Sequence, residues 1–142
     1  MKARKLIIIG AGPAGYSASI YASRYKIDNL VVGALSGGQI SEAHKVCNFP
    51  GFMEITGMDL AKKMRQQMKS LGAEEVVDTV IGLEREGDLF KLATQHSGEF
   101  LAKAVILANG TKRRKLGLPD EERFIGKGVS YCATCDGFFY RG

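Results

Sequence analysis

The chain has little of what marks several classes of protein. No apolar run approaches the ~18 residues that a membrane-crossing helix needs. The run near the N-terminus, Leu6 to Ile9, stops at glycine. It is also too short for a signal-peptide core and lacks a cleavage pattern, so the reading is an intracellular, cytoplasmic protein with no membrane partner. Three cysteines, an odd number, make a secreted disulfide scaffold a poor description. There is no second CxxC, no internal repeat and no low-complexity tract. The net charge is +5 over 142 residues. That is far from the dense positive field of a general nucleic-acid binder, and no nucleic-acid partner is expected. With 45% hydrophobic and 25% charged residues, the chain can bury one real core.

Glycine is what the chain has in excess: 18 residues, nearly twice the average share of ~7%. Such an excess suggests tight turns and close backbone approach, including approach to a ligand. The first cluster has a clear setting. Lys5 to Ile9 reads as a buried parallel strand, because its apolar residues run consecutively. Gly10-Ala11-Gly12-Pro13-Ala14-Gly15 follows directly, Tyr16 to Tyr25 reads as a helix, and Leu30 to Val32 as a second strand. Strand, glycine turn, helix and strand within about thirty residues make one βαβ unit. In that context Gly10-x-Gly12-x-x-Gly15 is a dinucleotide fingerprint. Gly12 lets the backbone approach a pyrophosphate, Gly15 lets helix pack on strand, and the helix N-terminus faces the phosphates. The competing reading is a purely structural glycine turn. The acid that often closes the second strand and binds ribose is missing at Val32-Gly33-Ala34. The ribose contact is therefore sought in the Ser36-Gly37-Gly38-Gln39 loop.

Residues 33–57 show little periodicity, which in a stretch this long points to ligand-ordered structure. Thr56 reads as a helix N-cap, with Leu60, Ala61, Met64, Met68 and Leu71 at helical spacing and Gly72 as the stop. Val76 to Arg85, Leu89 to Thr94 and Glu99 to Leu101 read as antiparallel hairpins. Ala104 to Ala108 reads as a further buried strand ending at Asn109-Gly110. A boundary falls at 110–118, where composition shifts and the basic run Lys112-Arg113-Arg114-Lys115 begins. That run is read as a solvated connector, with phosphate contact as the alternative.

Cys132-Ala133-Thr134-Cys135-Asp136 is the second motif. Two thiols at this spacing can close a disulfide at a helix start, where the helix end stabilises the reacting thiolate. Asp136 is placed to protonate a departing thiolate, or simply to complement the helix dipole. Zinc is the competing reading, with His44 and Cys47 as further ligands, but finger and ribbon spacings are absent and no metal site is expected. Cys47 by itself is expected to be a small buried residue, and His44 and His96 surface or loop residues.

Taken together, these blocks resemble the bacterial low-molecular-weight thioredoxin reductases, small flavin-dependent enzymes. The matching residues are Gly10 to Gly15, Gly37-Gly38-Gln39, Asn48-Phe49-Pro50-Gly51, Gly117-Leu118-Pro119 and Cys132 to Phe139, in the family's order and spacing. The chain departs from that pattern at Cys47, where the family has Glu, and at Asn109, where it reads Thr. The resemblance implies an α/β fold: a Rossmann-like FAD-binding βαβ domain with a parallel sheet and a small antiparallel β-meander, incomplete relative to the family. It implies the first FAD-domain segment at 1–112, then a connector and the start of the nicotinamide domain at 113–142. Electrons would pass from NADPH through FAD to Cys132–Cys135 and on to thioredoxin, with Asp136 as the acid. FAD would be held by Gly10, Gly12, Pro13, Ala14, Gly15, Gly33, Ser36, Gly37, Gly38, Gln39, Asn48, Ala108 and Gly110. A homodimer is the family's usual state. A dithiol oxidase, a ferredoxin-fed reductase and a non-enzymatic flavin module are the alternatives. The family's second nucleotide fingerprint and its C-terminal Gly-Asp block are not in these residues, so the chain is expected to be a fragment. It is accordingly expected not to reduce thioredoxin with NADPH alone; steady NADPH oxidation by the pure chain would overturn that.

Overall fold

The structure is a computed structural model and describes residues 3–133 and 137–140. Two compact units divide at Gly110 and Thr111. The first is built on a six-stranded sheet in the order β3-β2-β1-β6-β5-β4. Its strands are β1 (Arg4–Ile9), β2 (Asn29–Val32), β3 (Glu74–Val76), β4 (Val80–Glu86), β5 (Leu89–Thr94) and β6 (Glu99–Leu107). Helix α1 (Pro13–Arg24) joins β1 to β2, and α2 (Gly57–Ser70) precedes β3.

The consecutive apolar residues of β1 and β2 are buried because both faces of the central sheet are covered. Leu6, Ile8 and Val31 pack with Tyr16 and Ala22 of α1 and with Leu60, Met64 and Met68 of α2. Ile7, Ile9, Leu30 and Val32 point the other way and cluster with Leu92, Ala102 and Phe100. The alternation follows from the two-residue period of a strand. β1 lies parallel to β2 and to β6, as the βαβ reading requires. Thr56 caps α2 by accepting from the Asp59 N–H at 3.1 Å.

Three expectations need correction. The segments read as a hairpin strand and a separate buried strand are continuous. Glu99–Leu101 and Ala104–Ala108 belong largely to one strand, β6, which pairs antiparallel with β5 over its first half and parallel with β1 over its second. Ala102 and Lys103 contain no breaker, so the strand runs through. Conversely, Val76–Arg85 is two strands: β3 runs parallel to β2, and β4 antiparallel to β5. The chain leaves the sheet between them at Asp78. Its buried carboxylate accepts from the backbone N–H groups of Thr79, His96 and Ser97 at 2.7, 2.9 and 2.6 Å. Finally, the end of β6 is not buried. Ile106 and Leu107 are 40% and 66% exposed, because β5 pairs only as far along β6 as Ala102.

The second unit, residues 111–142, contains the short helix α3 (Glu121–Phe124) and a 3-10 turn at Gly137–Tyr140. The Glu121 carboxylate is buried and accepts from the N–H groups of Leu116, Gly117 and Leu118 at 3.2, 2.6 and 3.1 Å. That nest sets the Gly117-Leu118-Pro119 turn. Lys112 to Lys115 are exposed, and Lys115 pairs with Glu122 at 2.5 Å.

Two stability measurements follow from these contacts. Thr56→Ala removes the α2 cap and is expected to cost about 1 kcal/mol in urea unfolding. For Asp78, burial pushes the carboxyl up, but hydrogen bonds from Ser97, His96 and Thr79 outweigh it and hold it below the usual range. A depressed folded value stabilises above the unfolded value and is lost as pH falls through the folded one. Asp78→Asn is therefore expected to lower stability at neutral pH, with a difference from wild type that shrinks well below pH ~4. A pH-independent difference would contradict this.

Candidate functional site

The glycines of the fingerprint serve different ends. Gly10 leaves β1 at φ +119°, a conformation that glycine tolerates and other residues rarely adopt. A Cβ there would overlap the Ala108 carbonyl at the end of β6. A Cβ on Gly15 would overlap the Gly10 carbonyl, so its absence lets α1 sit against the strand end. Gly12 is another matter. Its φ of −96° suits any residue, and a Cβ would meet only Gly38 Cα at 3.8 Å and the Gly37 carbonyl at 3.9 Å. Its bare side thus faces the second glycine loop at van der Waals distance.

Gly12 is also the N-cap of α1, without a side-chain cap. Pro13 occupies the first turn and no acid stands there. The helix end therefore offers uncapped N–H groups and the positive end of its dipole. Opposite it, Gly37 and Gly38 adopt φ +95° and +63°. The Gly37 N–H donates to the Ala11 carbonyl at 2.7 Å, and the Ser41 hydroxyl to the Gly38 carbonyl at 2.6 Å. A Cβ on Gly38 would stand 3.0 Å from Gly12 Cα. Two loops some twenty-five residues apart in sequence thus meet backbone to backbone. A ligand there would meet peptide groups rather than side chains.

The absent acid after β2 has a steric reason. Gly33 is buried against Ala11, and a Cβ there would lie 2.6 Å from the Ala11 nitrogen. A carboxylate is nevertheless close by, on the neighbouring strand. Glu75 of β3 has a fully buried side chain that accepts from the Tyr16 and Ser36 hydroxyls, both at 2.8 Å, and from Arg65 Nε at 2.5 Å. Tyr16 and Ser36 oxygens stand 2.9 Å apart, and the Gly37 N–H donates to the Tyr16 oxygen at 3.2 Å. Burial pushes the Glu75 carboxyl up, but hydrogen bonds from Arg65, Ser36 and Tyr16 outweigh it and hold it below the ordinary carboxylate range. Burial likewise raises the Tyr16 phenol. Sequence reading missed Tyr16, Arg65 and Glu75. The one available signal was an acid in a three-residue strand beside a buried one.

The structure brings Gly10 to Gly15, Gly33, Ser36 to Gln39 and Ala108 together around the tip of β1. Gly110 follows, exposed, at φ +65°. Asn48 is exposed near the Val46–Ile55 bridge and, among the described residues, hydrogen-bonds to none of them. Cys47 is a free and exposed thiol, correcting the expectation of burial. Val46 turns inward at that bridge, so its neighbour faces out. Among the described residues no three His, Cys, Asp or Glu side chains gather as metal ligands. In the second unit Cys132 is disulfide-bonded, and its N–H donates to Ser130 Oγ at 3.1 Å. Cys135 and Asp136 lie outside the described residues.

Comparison with known proteins extends over the whole chain. The sequence pattern of the pyridine nucleotide-disulphide oxidoreductases matches residues 4–142. Thioredoxin reductase of Streptomyces clavuligerus is 47% identical over 142 residues, covering 97% of this chain and 44% of that protein. The thioredoxin reductase structure from Lactococcus lactis superposes with a TM-score of 0.81 at 39% identity, over 98% of this chain and 46% of that one. A ferredoxin-flavin thioredoxin reductase from Clostridium acetobutylicum gives 0.73 at 33% identity, over 100% of this chain and 49% of that one. The chain therefore spans somewhat less than half the length of the relatives it matches.

The division among glycines is testable. Gly12→Ala is expected to keep wild-type stability while weakening flavin-nucleotide binding at least about tenfold by intruding on the backbone approach. Gly15→Ala is expected to destabilise the fold itself, because backbone cannot yield to the added methyl. Urea unfolding and equilibrium dialysis against FAD separate the two.

Proposed function

The chain belongs to the pyridine nucleotide-disulphide oxidoreductase family, and on that premise we propose that it is the FAD-side portion of a thioredoxin-reductase-like enzyme. The observation that carries the reading is the close backbone meeting of Gly12 and Gly38 beside an uncapped helix end. Peptide N–H groups, a positive dipole end and no side chain in the way are what a pyrophosphate needs. The residues present therefore fit FAD. Gly10 to Gly15 and the Gly33 to Gln39 loop would take its phosphates and ribose, with Asn48, Ala108 and Gly110 further along the same site. When bound, FAD supplies a two-electron carrier between a nicotinamide donor and a disulfide.

The chain's own redox chemistry is assigned to Cys132 and Cys135. In the reduced pair, one thiolate attacks a sulfur of the partner's disulfide, forming a mixed disulfide and expelling the other sulfur as thiolate. The second cysteine then attacks the mixed disulfide. The pair ends oxidised by two electrons and the partner ends as a dithiol. Asp136 supplies a proton to a departing thiolate. The partner in this reading is thioredoxin or a similar disulfide protein. The donor in this reading is NADPH. The remaining assignments are an FAD-domain segment at 1–112, the opening of the nicotinamide domain at 113–142, and a cytoplasmic homodimer contacting neither nucleic acid nor membrane. A ferredoxin-fed donor is the second reading, supported by the similarity to the Clostridium acetobutylicum reductase.

Gel filtration of the chain with excess FAD tests the central claim. A flavin absorbance band is expected to co-elute with the protein at about one flavin per chain, and to fall with Gly12→Ala. Absence of bound flavin at saturating FAD would defeat the reading for this chain.

A further inference from the structure

The cleft depends on the turn that leads from β2 into a single short 3-10 helix at Gly38–Glu42, whose N-cap is Gly37. Ser36, Gly37 and Gly38 lie beyond β2, in a segment where two successive residues have positive φ. Glycine is conformationally free, so the backbone there does not hold itself in place. Its backbone bonds are few: Gly37 N–H to Ala11, Gly38 N–H to Leu35 within the loop, and Gly33 N–H to Val76 of β3. Ser41 Oγ ties down the Gly38 carbonyl, and the remaining side-chain bonds to Ser36 and Gly37 centre on one group.

That group is Glu75. Its register on β3 places it opposite Val31, on the sheet face that α1 and α2 cover. From there its carboxylate meets Tyr16 of α1, Ser36 of the loop and Arg65 of α2, with Lys69 one turn further at 3.7 Å. Tyr16 and Ser36 have one hydroxyl proton each. Both protons are drawn to Glu75, because the carboxylate can only accept, and the 2.9 Å approach of the Tyr16 and Ser36 oxygens then carries no proton of its own. The Tyr16 oxygen then keeps a lone pair for the Gly37 N–H. Glu74, next along the strand, faces outward and pairs with Arg4 at the surface. Alternation alone separates the buried role from the exposed one.

We propose that Glu75 is the positioning residue of the nucleotide cleft: from the third strand, through Tyr16 and Ser36, it holds the Gly37–Gly38 backbone against Gly12. The inference rests on the nucleotide-binding reading for its consequence, but the hold itself is a property of the chain. It also accounts for a tolerated absence. Gly33 leaves no room for an acid at the end of β2, and here a carboxylate one strand over grips the loop instead of the ligand.

Hydrogen exchange on the whole chain tests it, with the amides of 34–39 as reporter and those of β1 as internal reference. Glu75→Met keeps the side-chain volume but accepts no hydrogen bond. It is expected to speed exchange at 34–39 by about tenfold while β1 stays within about twofold. Glu75→Gln retains one acceptor oxygen for the two hydroxyls and is expected to recover most of that protection. Tyr16→Phe, which removes the relay to Gly37, is expected to loosen the same amides and decides the matter if Glu75→Met does not fold. Loop exchange unchanged in Glu75→Met, or rising in step with β1, would overturn the inference, as would no difference between Met and Gln. FAD binding to the same variants is expected to weaken about tenfold in Glu75→Met and little in Glu75→Gln. Wild type failing to bind FAD would count against the proposed function, and the exchange comparison would still judge Glu75.

Discussion

Three backbones converge at the tip of β1, and the rest of the first unit is arranged around their contact. The Gly10 N–H donates to Val32 of β2, the Ala108 N–H donates to Ile9, and α1 begins against the Gly10 carbonyl. None of these approaches leaves space for a Cβ at Gly10 or Gly15. Close packing makes the junction unforgiving, since backbone cannot rotate out of the way as a side chain can. It also brings the strand ends and the helix N-terminus to one point. In open parallel sheets that is where ligands bind.

From that junction the sheet divides its labour. The parallel half, β3-β2-β1 and the end of β6, carries the helices and the candidate cleft. The antiparallel half, β4-β5 and the start of β6, contributes Leu92, Ala102 and Phe100 to the second face. β6 belongs to both halves, so a single strand transmits the register of the hairpins to the end at Ala108. The exposed Ile106 and Leu107 lie where its outer edge has no partner strand among the described residues.

Electrostatics plays a narrow part. Surface pairs such as Arg4 with Asp28 and Lys115 with Glu122 are solvated and contribute little. Buried carboxylates behave differently. Asp78, Glu75 and Glu121 each collect several donors, and each pins a segment that secondary structure does not hold. A buried charge is tolerable when its acceptor positions are filled. The same requirement makes each of the three an anchor.

The local features were legible in the order of residues. The strand–glycine–helix–strand unit, the Thr56 cap, the α2 core face and the CxxC follow from hydrophobic period, capping chemistry and thiol spacing. These depend on neighbours a few positions away. What tertiary structure alone decided depends on partners far along the chain. Whether 99–107 is one strand or two was settled by pairing with β1 and β5. Whether Glu74 or Glu75 is buried was settled by the register of β3 on β2. Which glycine faces the cleft and which merely packs was settled by the arrival of residues 37–38 and 108 beside 10–15. Each is a choice between conformations of similar local energy, and only a contact made in three dimensions separates them.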